Sequence, residues 1–272
     1  MDGNTGCRRG KLKDMLDNLY LRYNRREYVS SDPLVFLYDY PDVRDREIAG
    51  LVASSLAFGN VKQINKSVAR VLQSMGASPR RHLLSKGVKC LDGSLKGFKH
   101  RWIDSRQITR LLSSVITALE KFGTLEGCFI SHMRSAGGNI NPALSGFVNE
   151  LDGGFLRKGF LACPEKGSPC KRLYLYLRWM VREDEVDPGG WSSLSPAKLT
   201  VPLDTHMYRL SRKLGLTERS QRDMKTAVEI TDSFREISPE DPVKYDFALT
   251  RVGIINNPGM REFENSLEEI AC

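Results

Sequence analysis

The sequence predicts an all-α protein. Apolar residues recur every three to four positions along most of the chain, a spacing typical of amphipathic helices. Strand-like alternation of apolar and polar residues is nearly absent, and no repeat of about 20–50 residues is visible. The length of 272 residues allows one large domain or two ordinary ones, with a core that needs no disulfide or metal for stability.

Four long helices are predicted in the first half of the chain. Their apolar faces consist of Leu12, Met15, Leu16, Leu19 and Tyr23; Ile48, Leu51, Val52 and Leu56; Val61, Ile64, Val68, Val71, Leu72 and Met75; and Ile108, Leu111, Leu112, Val115, Leu119 and Phe122. Asp104 is predicted to cap the fourth helix, and Gly76 and Gly123 to end the third and fourth. Shorter helices are predicted near residues 124–135 and 141–151.

Two loops interrupt the helical pattern in the second half. The turn CPEKGSPC, residues 163–170, precedes the predicted helix KRLYLYLRWMVR. The loop DEVDPGGWSSLSPAKLTVPL, residues 184–203, contains three prolines and two glycines. Loops of this length inside a compact domain are often functional. Trp191 lies in this loop, where its ring can form a stacking wall for a ligand or pack in the core.

Composition predicts a soluble protein of the cytoplasm. Apolar residues make up 40% of the chain and charged residues 27%. The longest apolar run, near residues 51–59, is shorter than the ~18 residues of a membrane span. The amino terminus lacks the apolar segment of a secretory signal. We therefore expect neither secretion nor membrane insertion.

The cysteines predict no metal centre. Six are present, and only Cys163 and Cys170 lie close together in the sequence. No second pair completes a zinc or iron–sulfur ligand set. Reduced, buried thiols are the favoured interpretation, and no metal or cofactor is expected.

The charge indicates a polyanionic partner. The net charge is +8, and one basic stretch also contains the aromatic residues Phe98 and Trp102. Its cations are Lys86, Lys89, Lys96, Lys99, His100, Arg101 and Arg106. Interleaved cations and aromatic rings are typical of nucleic-acid binding. The alternative is a solvated loop anchored by two aromatic side chains.

Two further residues are candidates for chemistry. Asp204 precedes a short amphipathic helix and can accept hydrogen bonds from its free N–H groups, so taken alone it is predicted to be a helix cap. Lys171 lies in the first turn of a helix, where the dipole and the neighbouring Arg172 disfavour the ammonium form. An amine in such a position can act as a nucleophile, although a lysine at a helix start is usually a surface residue.

Together these two segments resemble the helix-hairpin-helix DNA glycosylases. GSPCKRLYLYLRW occupies the place of the hairpin, which in those enzymes ends in a lysine at the start of a helix. VPLDTHMYRL resembles the loop and aspartate of endonuclease III, in which Thr and His follow the aspartate and an arginine stands at the fifth position after it. The 33 positions between Lys171 and Asp204 exceed the endonuclease III spacing and are closer to the archaeal oxidised-guanine glycosylases.

The resemblance implies an all-α architecture with two helical subdomains flanking a cleft. Residues 44–170 would form one subdomain, and residues 1–43 with 171–272 the other. Lys171 would attack the sugar of a damaged nucleotide whose base has flipped out of duplex DNA, and Asp204 would stabilise the developing positive charge. Imine formation would permit strand cleavage, and the enzyme would act as a monomer.

Further candidate site residues come partly from this resemblance, which places Phe58 and Asn60 in the base pocket, and partly from the aromatic and charged residues described above. The base pocket would contain Phe58, Asn60, Trp191 and His206. Contacts to the DNA backbone would come from Lys99, Arg101, Arg172, Arg209 and Arg212. Core packing for Phe58, packing or capping for His206, and ordinary solvated charges for Arg209 and Arg212 are the alternatives.

Two features depart from the glycosylase pattern. The turn at residues 163–170 lacks the Leu-Pro-Gly-Val-Gly signature that offers backbone N–H groups to a phosphate, and the iron–sulfur cysteines of endonuclease III are missing. A catalytically silent nucleic-acid binder and an enzyme acting on RNA or nucleosides therefore stay open. Most of residues 20–256 are also similar to a prokaryotic family with no established activity, through CKRLYLYLRWMVREDEVD, PLDTHMYRLSRKLGL and DPVKYDFALTRVGI.

Overall fold

A computed structural model describes the backbone of residues 3–154, 156 and 159–254, and the side chains of residues 8–154, 156 and 159–252. Within these ranges the regular secondary structure is helical apart from one short hairpin and one isolated bridge, so the all-α prediction is confirmed. The two-subdomain division stays a prediction, and its last residues, 255–272, lie outside the described part. None of the helices in the described ranges is long and apolar enough to cross a membrane.

The α-helices in chain order are α1 (Gly3–Tyr23), α2 (Val43–Ser55), α3 (Val61–Met75), α4 (Pro79–Lys86), α5 (Ser105–Phe122), α6 (Leu125–Ser135), α7 (Ile140–Asp152), α8 (Lys171–Val181), α9 (Thr205–Lys213), α10 (Met224–Ile237) and α11 (Asp246–Ile254). Short 3₁₀ helices cover Arg26–Val29, Pro33–Asp39, Lys89–Leu91, Pro164–Lys166 and Pro196–Lys198. The hairpin pairs β1 (Lys99–His100) antiparallel to β2 (Ile103–Asp104).

The predicted helix ends in the first half are confirmed. Asp104 caps α5 by accepting a hydrogen bond from the Gln107 N–H at 3.0 Å. Gly76 and Gly123 follow α3 and α5 with φ angles of 71° and 81°, which glycine adopts without steric cost. Helix α4 was missed, because only Pro79 and Leu83 of its eight residues are buried and so few apolar positions give no visible period.

Helix α2 lies at the centre of the fold. It packs against the Pro33–Asp39 segment, α3, α4, α6 and α8. All residues from Glu47 to Ser55 are buried, so this part of α2 is enclosed on all sides. A Cβ added at Gly50 would lie 3.2 Å from the Tyr176 ring and 3.3 Å from Leu37. The small residue therefore permits the close approach of α8, the helix that begins at Lys171.

A buried carboxylate connects α2 to α6. Glu47 accepts hydrogen bonds from the backbone N–H groups of Leu125 at 2.9 Å and Glu126 at 3.1 Å, at the start of α6, and from the indole N–H of Trp191 at 3.2 Å. Burial raises the pKa of Glu47 to about 7, although these three donors and Arg80 act in the opposite direction. The folded protein therefore holds a proton on Glu47 more tightly than the unfolded chain does.

This shift predicts a pH-dependent effect of Glu47→Gln. A carboxyl group whose pKa is raised by folding stabilises the folded protein when the pH is below its pKa in the unfolded chain. This stabilisation is lost as the pH rises through about 7, the pKa of Glu47 in the folded protein. Glutamine cannot titrate, so we expect the stability of wild type relative to Glu47→Gln to be larger at pH 5 than at pH 7.5, by about 2 kcal/mol. Urea unfolding of both proteins at both pH values measures this difference. An equal difference at the two pH values would contradict the assignment.

Helix α8 is fixed by a set of buried and half-buried ions, the α8 ion cluster. Its members are Arg178, Arg182, Asp184, Asp187, Asp241 and Asp246. Arg178 contacts Asp187 at 3.1 Å and also Asp246, the first residue of α11. Arg182 contacts Asp187, and it reaches Asp184 and Asp241 at 2.8 Å each. The cluster therefore holds α8 against α11 and against the loop that follows α8.

Candidate functional site

The structure brings the two predicted catalytic residues together. Lys171 is the first residue of α8, and Asp204 directly precedes α9. The Lys171 Nζ lies 3.0 Å from the Asp204 Oδ2. The lysine side chain is 35% exposed and the aspartate 20% exposed. A ligand can therefore reach this ion pair from solvent.

An unusual turn places Lys171. The preceding residue, Cys170, adopts a left-handed conformation with φ 45°, which is uncommon for a residue other than glycine. Its thiol donates to the Ser168 carbonyl at 3.2 Å, and the Ser168 hydroxyl accepts from the Cys170 N–H at 3.3 Å. Burial raises the pKa of the Cys170 thiol to about 12, so this thiol is protonated at neutral pH. Cys170 thus serves the turn through packing and hydrogen bonds.

Asp204 caps α9 and pairs with Lys171 at the same time. One carboxylate oxygen accepts a hydrogen bond from the Met207 N–H at 2.8 Å, while the other faces the lysine. Burial acts to raise the pKa of Asp204, but the Lys171 charge and the Met207 N–H outweigh it and lower the pKa below its usual value. Asp204 therefore stays ionised throughout the neutral range.

A cavity of about 480 Å³ opens beside Lys171. Its lining residues are Ser55, Ala57, Phe58, Gly159, Phe160, Leu161, Ala162, Ser168, Pro169, Cys170, Lys171, Arg172 and Leu173. This volume is typical of small-molecule sites, which are mostly apolar with a few polar groups. The predicted pocket residue Phe58 lies in the wall, with Trp102 packed against its ring at 5.7 Å between centroids.

Arg172 belongs to the cavity wall. Its guanidinium donates to the carbonyls of Ser55 at 2.5 Å and Gly159 at 2.9 Å, and it lies 4.9 Å from the centre of the Phe58 ring. Burial lowers the pKa of Arg172 to about 10. Two of its N–H groups join two segments of the wall, and a contact between Arg172 and DNA phosphates stays a prediction.

Three of the predicted pocket residues are not among the described residues that line the cavity. Asn60 is exposed and caps α3, accepting from the Lys62 N–H at 3.0 Å. Trp191 is 2% exposed and donates to Glu47, so its predicted role as a stacking wall is wrong and core packing is right. His206 is half-buried, two residues after Asp204, and is close enough to contribute to the lowered pKa of the Asp204 carboxylate.

The remaining predicted DNA contacts lie on two surfaces. Arg209 is exposed on α9, and Arg212 donates to the carbonyls of Glu218 and Arg219 at 3.1 Å each. Lys99 and Arg101 are exposed on the hairpin. Arg101 has φ 54°, the only positive φ besides that of Cys170 among the described residues other than glycine. Strained backbone of this kind clusters at functional sites.

Sequence reasoning missed a second carboxylate near the pair. Asp246 is 4% exposed and contacts Arg178, which follows Lys171 by seven residues on α8. Burial, followed by the Asp204 charge, raises the pKa of Asp246 to about 6, whereas Arg178 and Lys171 act to lower it. The available signal was Arg178 itself, an arginine in the middle of the apolar run LYLYLRWMV, which requires a buried partner.

The described part of the chain contains no group of three or more His, Cys, Asp or Glu residues arranged to hold a metal ion. The groups that the structure places at the site are an amine, a carboxylate and an apolar cavity with aromatic walls.

Comparison with known proteins identifies the family of this chain. No curated protein and no solved structure matches the chain. The family described as a protein of unknown function (DUF2400) matches residues 32–255, a range that contains the Lys171–Asp204 pair and the whole cavity lining. Since the match covers most of the 272 residues, the chain belongs to the DUF2400 family.

Proposed function

We propose that the protein is a DNA base-excision glycosylase that uses Lys171 as its nucleophile and also cleaves the resulting abasic strand. The observation that carries this proposal is the Lys171–Asp204 pair, 3.0 Å apart at the wall of an apolar cavity. The resemblance of the two segments around these residues to helix-hairpin-helix glycosylases supports it. Duplex DNA with a damaged base is the substrate, and an oxidised purine is the first candidate.

In this mechanism the damaged base leaves the duplex and enters the cavity. Unstacking a base costs a few kcal/mol, least for a damaged or mismatched one. Phe58 and Phe160 offer apolar ring surface in the cavity wall, and burial of the flipped base there offsets part of that cost. The sugar of the same nucleotide then lies at the cavity mouth, within reach of Lys171.

The chemical step forms one bond and breaks another. The Lys171 ammonium first gives up a proton, for which the Asp204 carboxylate is the nearest acceptor at 3.0 Å. The free amine then attacks C1′ of the sugar, the bond from C1′ to the base breaks, and the departing base takes up the proton. Asp204 passes this proton to the base as the bond breaks, so its carboxylate is ionised again while positive charge develops on the sugar, and it stabilises that charge.

Strand cleavage follows from the covalent intermediate. Opening of the sugar ring converts the amine adduct to an imine between Lys171 and C1′. The imine acidifies the proton on C2′, and its loss expels the 3′ phosphate by β-elimination. Borohydride reduces the same imine to a stable amine, so the intermediate can be captured as a covalent protein–DNA adduct.

The proposal is tested by borohydride trapping on a panel of duplex oligonucleotides. The panel carries an abasic site, 8-oxoguanine, uracil or an oxidised pyrimidine, with undamaged duplex as the control. We expect an adduct with the abasic site and with one class of damaged base. Binding without any base release or adduct would favour a catalytically silent binder. Activity on RNA or free nucleosides alone would assign the cavity to another substrate.

Asp204→Asn separates the two roles of Asp204. Asparagine caps helices about as well as aspartate does, so stability should change little. The variant loses the negative charge opposite Lys171, and we expect base release to fall on the order of 10²-fold. Asp223→Asn is the matched control, because Asp223 caps α10 through the Thr226 N–H at 2.9 Å and does not line the cavity. Base release by Asp204→Asn at the wild-type rate would remove Asp204 from the mechanism.

A further inference from the structure

The positive charge of the chain is concentrated in one segment. Residues 57–103 contain ten lysines and arginines and a single acidic residue, Asp92. Their net charge of +9 exceeds the +8 of the whole chain, so the other residues together are close to neutral. Helix α3, helix α4 and β1 all come from this segment.

Helix α3 presents a row of cations to solvent. Lys62, Lys66 and Arg70 are exposed and follow one another at four-residue spacing, which places them on one side of the helix. The row extends for about 12 Å along the helix axis. Over that distance one strand of duplex DNA carries about three or four phosphates.

Specific contacts fix the hairpin segment beside this row. Arg70 donates to the carbonyls of Ser94 at 3.1 Å and Lys96 at 2.6 Å. The buried His100 ring shares a hydrogen bond with the Ser67 hydroxyl of α3 at 3.0 Å. Lys96 and Lys99 are exposed in the segment held by these contacts, so they extend the basic surface of α3.

The hairpin segment also contacts the cavity wall. The second ring nitrogen of His100 is 3.1 Å from the Phe58 carbonyl oxygen, and Phe58 lines the cavity. The Arg101 side chain packs against Gly59, the residue after Phe58. A Cβ added at Gly59 would lie 3.2 Å from the Arg101 Cδ. Arg101 therefore lies against Gly59, which connects the cavity-lining Phe58 to Asn60, the cap of α3.

We propose that Lys62, Lys66, Lys96, Lys99 and Arg101 form a surface, the α3 surface, that binds the phosphate backbone of duplex DNA. None of the five forms an ion pair with a carboxylate among the residues that the structure describes. Their charges are therefore available to replace the counterions of a polyanion. The choice of DNA rests on the proposed function, whereas the location of the surface rests on charge and geometry alone.

The α3 surface offers phosphate contacts in place of those missing from the turn at residues 163–170. The turn at residues 163–170 lacks the glycine-rich signature for phosphate binding, and the guanidinium of Arg172 donates to two carbonyl groups of the cavity wall. Backbone contacts from α3 and the hairpin supply an anchor that does not depend on that turn. The duplex would lie along α3, with the flipped nucleotide passing Arg101 to reach Phe58.

The test compares two double variants of equal charge change. The first is Lys62→Glu with Lys66→Glu, and the control is Lys198→Glu with Lys225→Glu, exposed lysines near α9 and on α10. Fluorescence anisotropy with an undamaged 20-base-pair duplex (roughly two helical turns) is recorded between about 50 and 200 mM KCl. Lys62 is in the first turn of α3, where glutamate is favoured by the helix dipole, so folding should be retained.

We expect the α3 variant to bind at least about tenfold more weakly and its log–log salt slope to shrink by about 2, because each lost phosphate contact removes about 0.9 from the slope. The control should stay within about twofold of wild type. Equal affinities for the two variants, or no duplex binding by wild type, would overturn the proposal. Tighter binding of an RNA duplex through the same lysines would overturn the choice of DNA.

Failure of the proposed α3 surface can be distinguished from failure of the proposed glycosylase activity. If the α3 variant loses duplex binding but wild type processes no lesion, the surface is supported and the glycosylase proposal fails. If wild type processes a lesion and the α3 variant binds and processes it equally well, the glycosylase proposal is supported and the surface is wrong.

Discussion

Lys171→Gln is expected to abolish the borohydride-trapped adduct with abasic DNA. Glutamine is close to lysine in length and can still donate a hydrogen bond to Asp204, but its amide nitrogen is not a nucleophile and cannot form an imine. We expect adduct formation to fall on the order of 10³-fold or more, and base release by a comparable factor. Gel separation of the reduced protein–DNA complex measures the first quantity, and release of the labelled base the second.

The control for this variant is Lys166→Gln. Lys166 is exposed in the Pro164–Lys166 segment, five residues before Lys171, and does not line the cavity. It should trap DNA as wild type does. The Lys171–Asp204 pair is partly exposed, so its loss should change the free energy of unfolding by no more than about 1 kcal/mol. An adduct that persists in folded Lys171→Gln would assign the nucleophile to another amine.

The helices could be predicted because their signals are local. The apolar faces of α3 and α5 repeat at helical spacing, and their caps, Asn60 and Asp104, precede them directly. Trp191 was misjudged for the opposite reason. The loop around Trp191 has no periodicity, and the residues that bury its indole are distant in the sequence, including Glu47, which accepts from the indole N–H and lies 144 residues earlier. Nothing near Trp191 in the sequence reveals that partner.

The candidate site was found through resemblance, since periodicity cannot tell that two helix starts 33 residues apart will meet. Even so, the sequence could not assign Arg172 to the wall, because its partners are the backbone carbonyls of Ser55 and Gly159, which every residue possesses. Asp246 was missed for a related reason. Its proximity to the Lys171–Asp204 pair depends on how α11 packs against α9, and no local pattern encodes that packing.

The α8 ion cluster gives the second large expected effect. Asp187 is fully buried, and its two oxygens accept from both Arg178 and Arg182. In Asp187→Asn the side chain keeps its shape but loses its charge, and its amide N–H groups face the guanidinium donors. Two buried cations then lose a shared counter-charge, which we expect to lower the free energy of unfolding by about 3–5 kcal/mol.

Asp232→Asn is the matched control for Asp187→Asn. Asp232 also pairs with an arginine, Arg235, but its side chain is 60% exposed, so this change should cost less than about 1 kcal/mol. Urea unfolding of the two variants and wild type gives both values. A loss at Asp187 no larger than that at Asp232 would mean that apolar packing around α2 fixes α8 without the ions. A large loss would mean that the helix carrying Lys171 is held at its far end by charge, while its first turn stays open to the cavity.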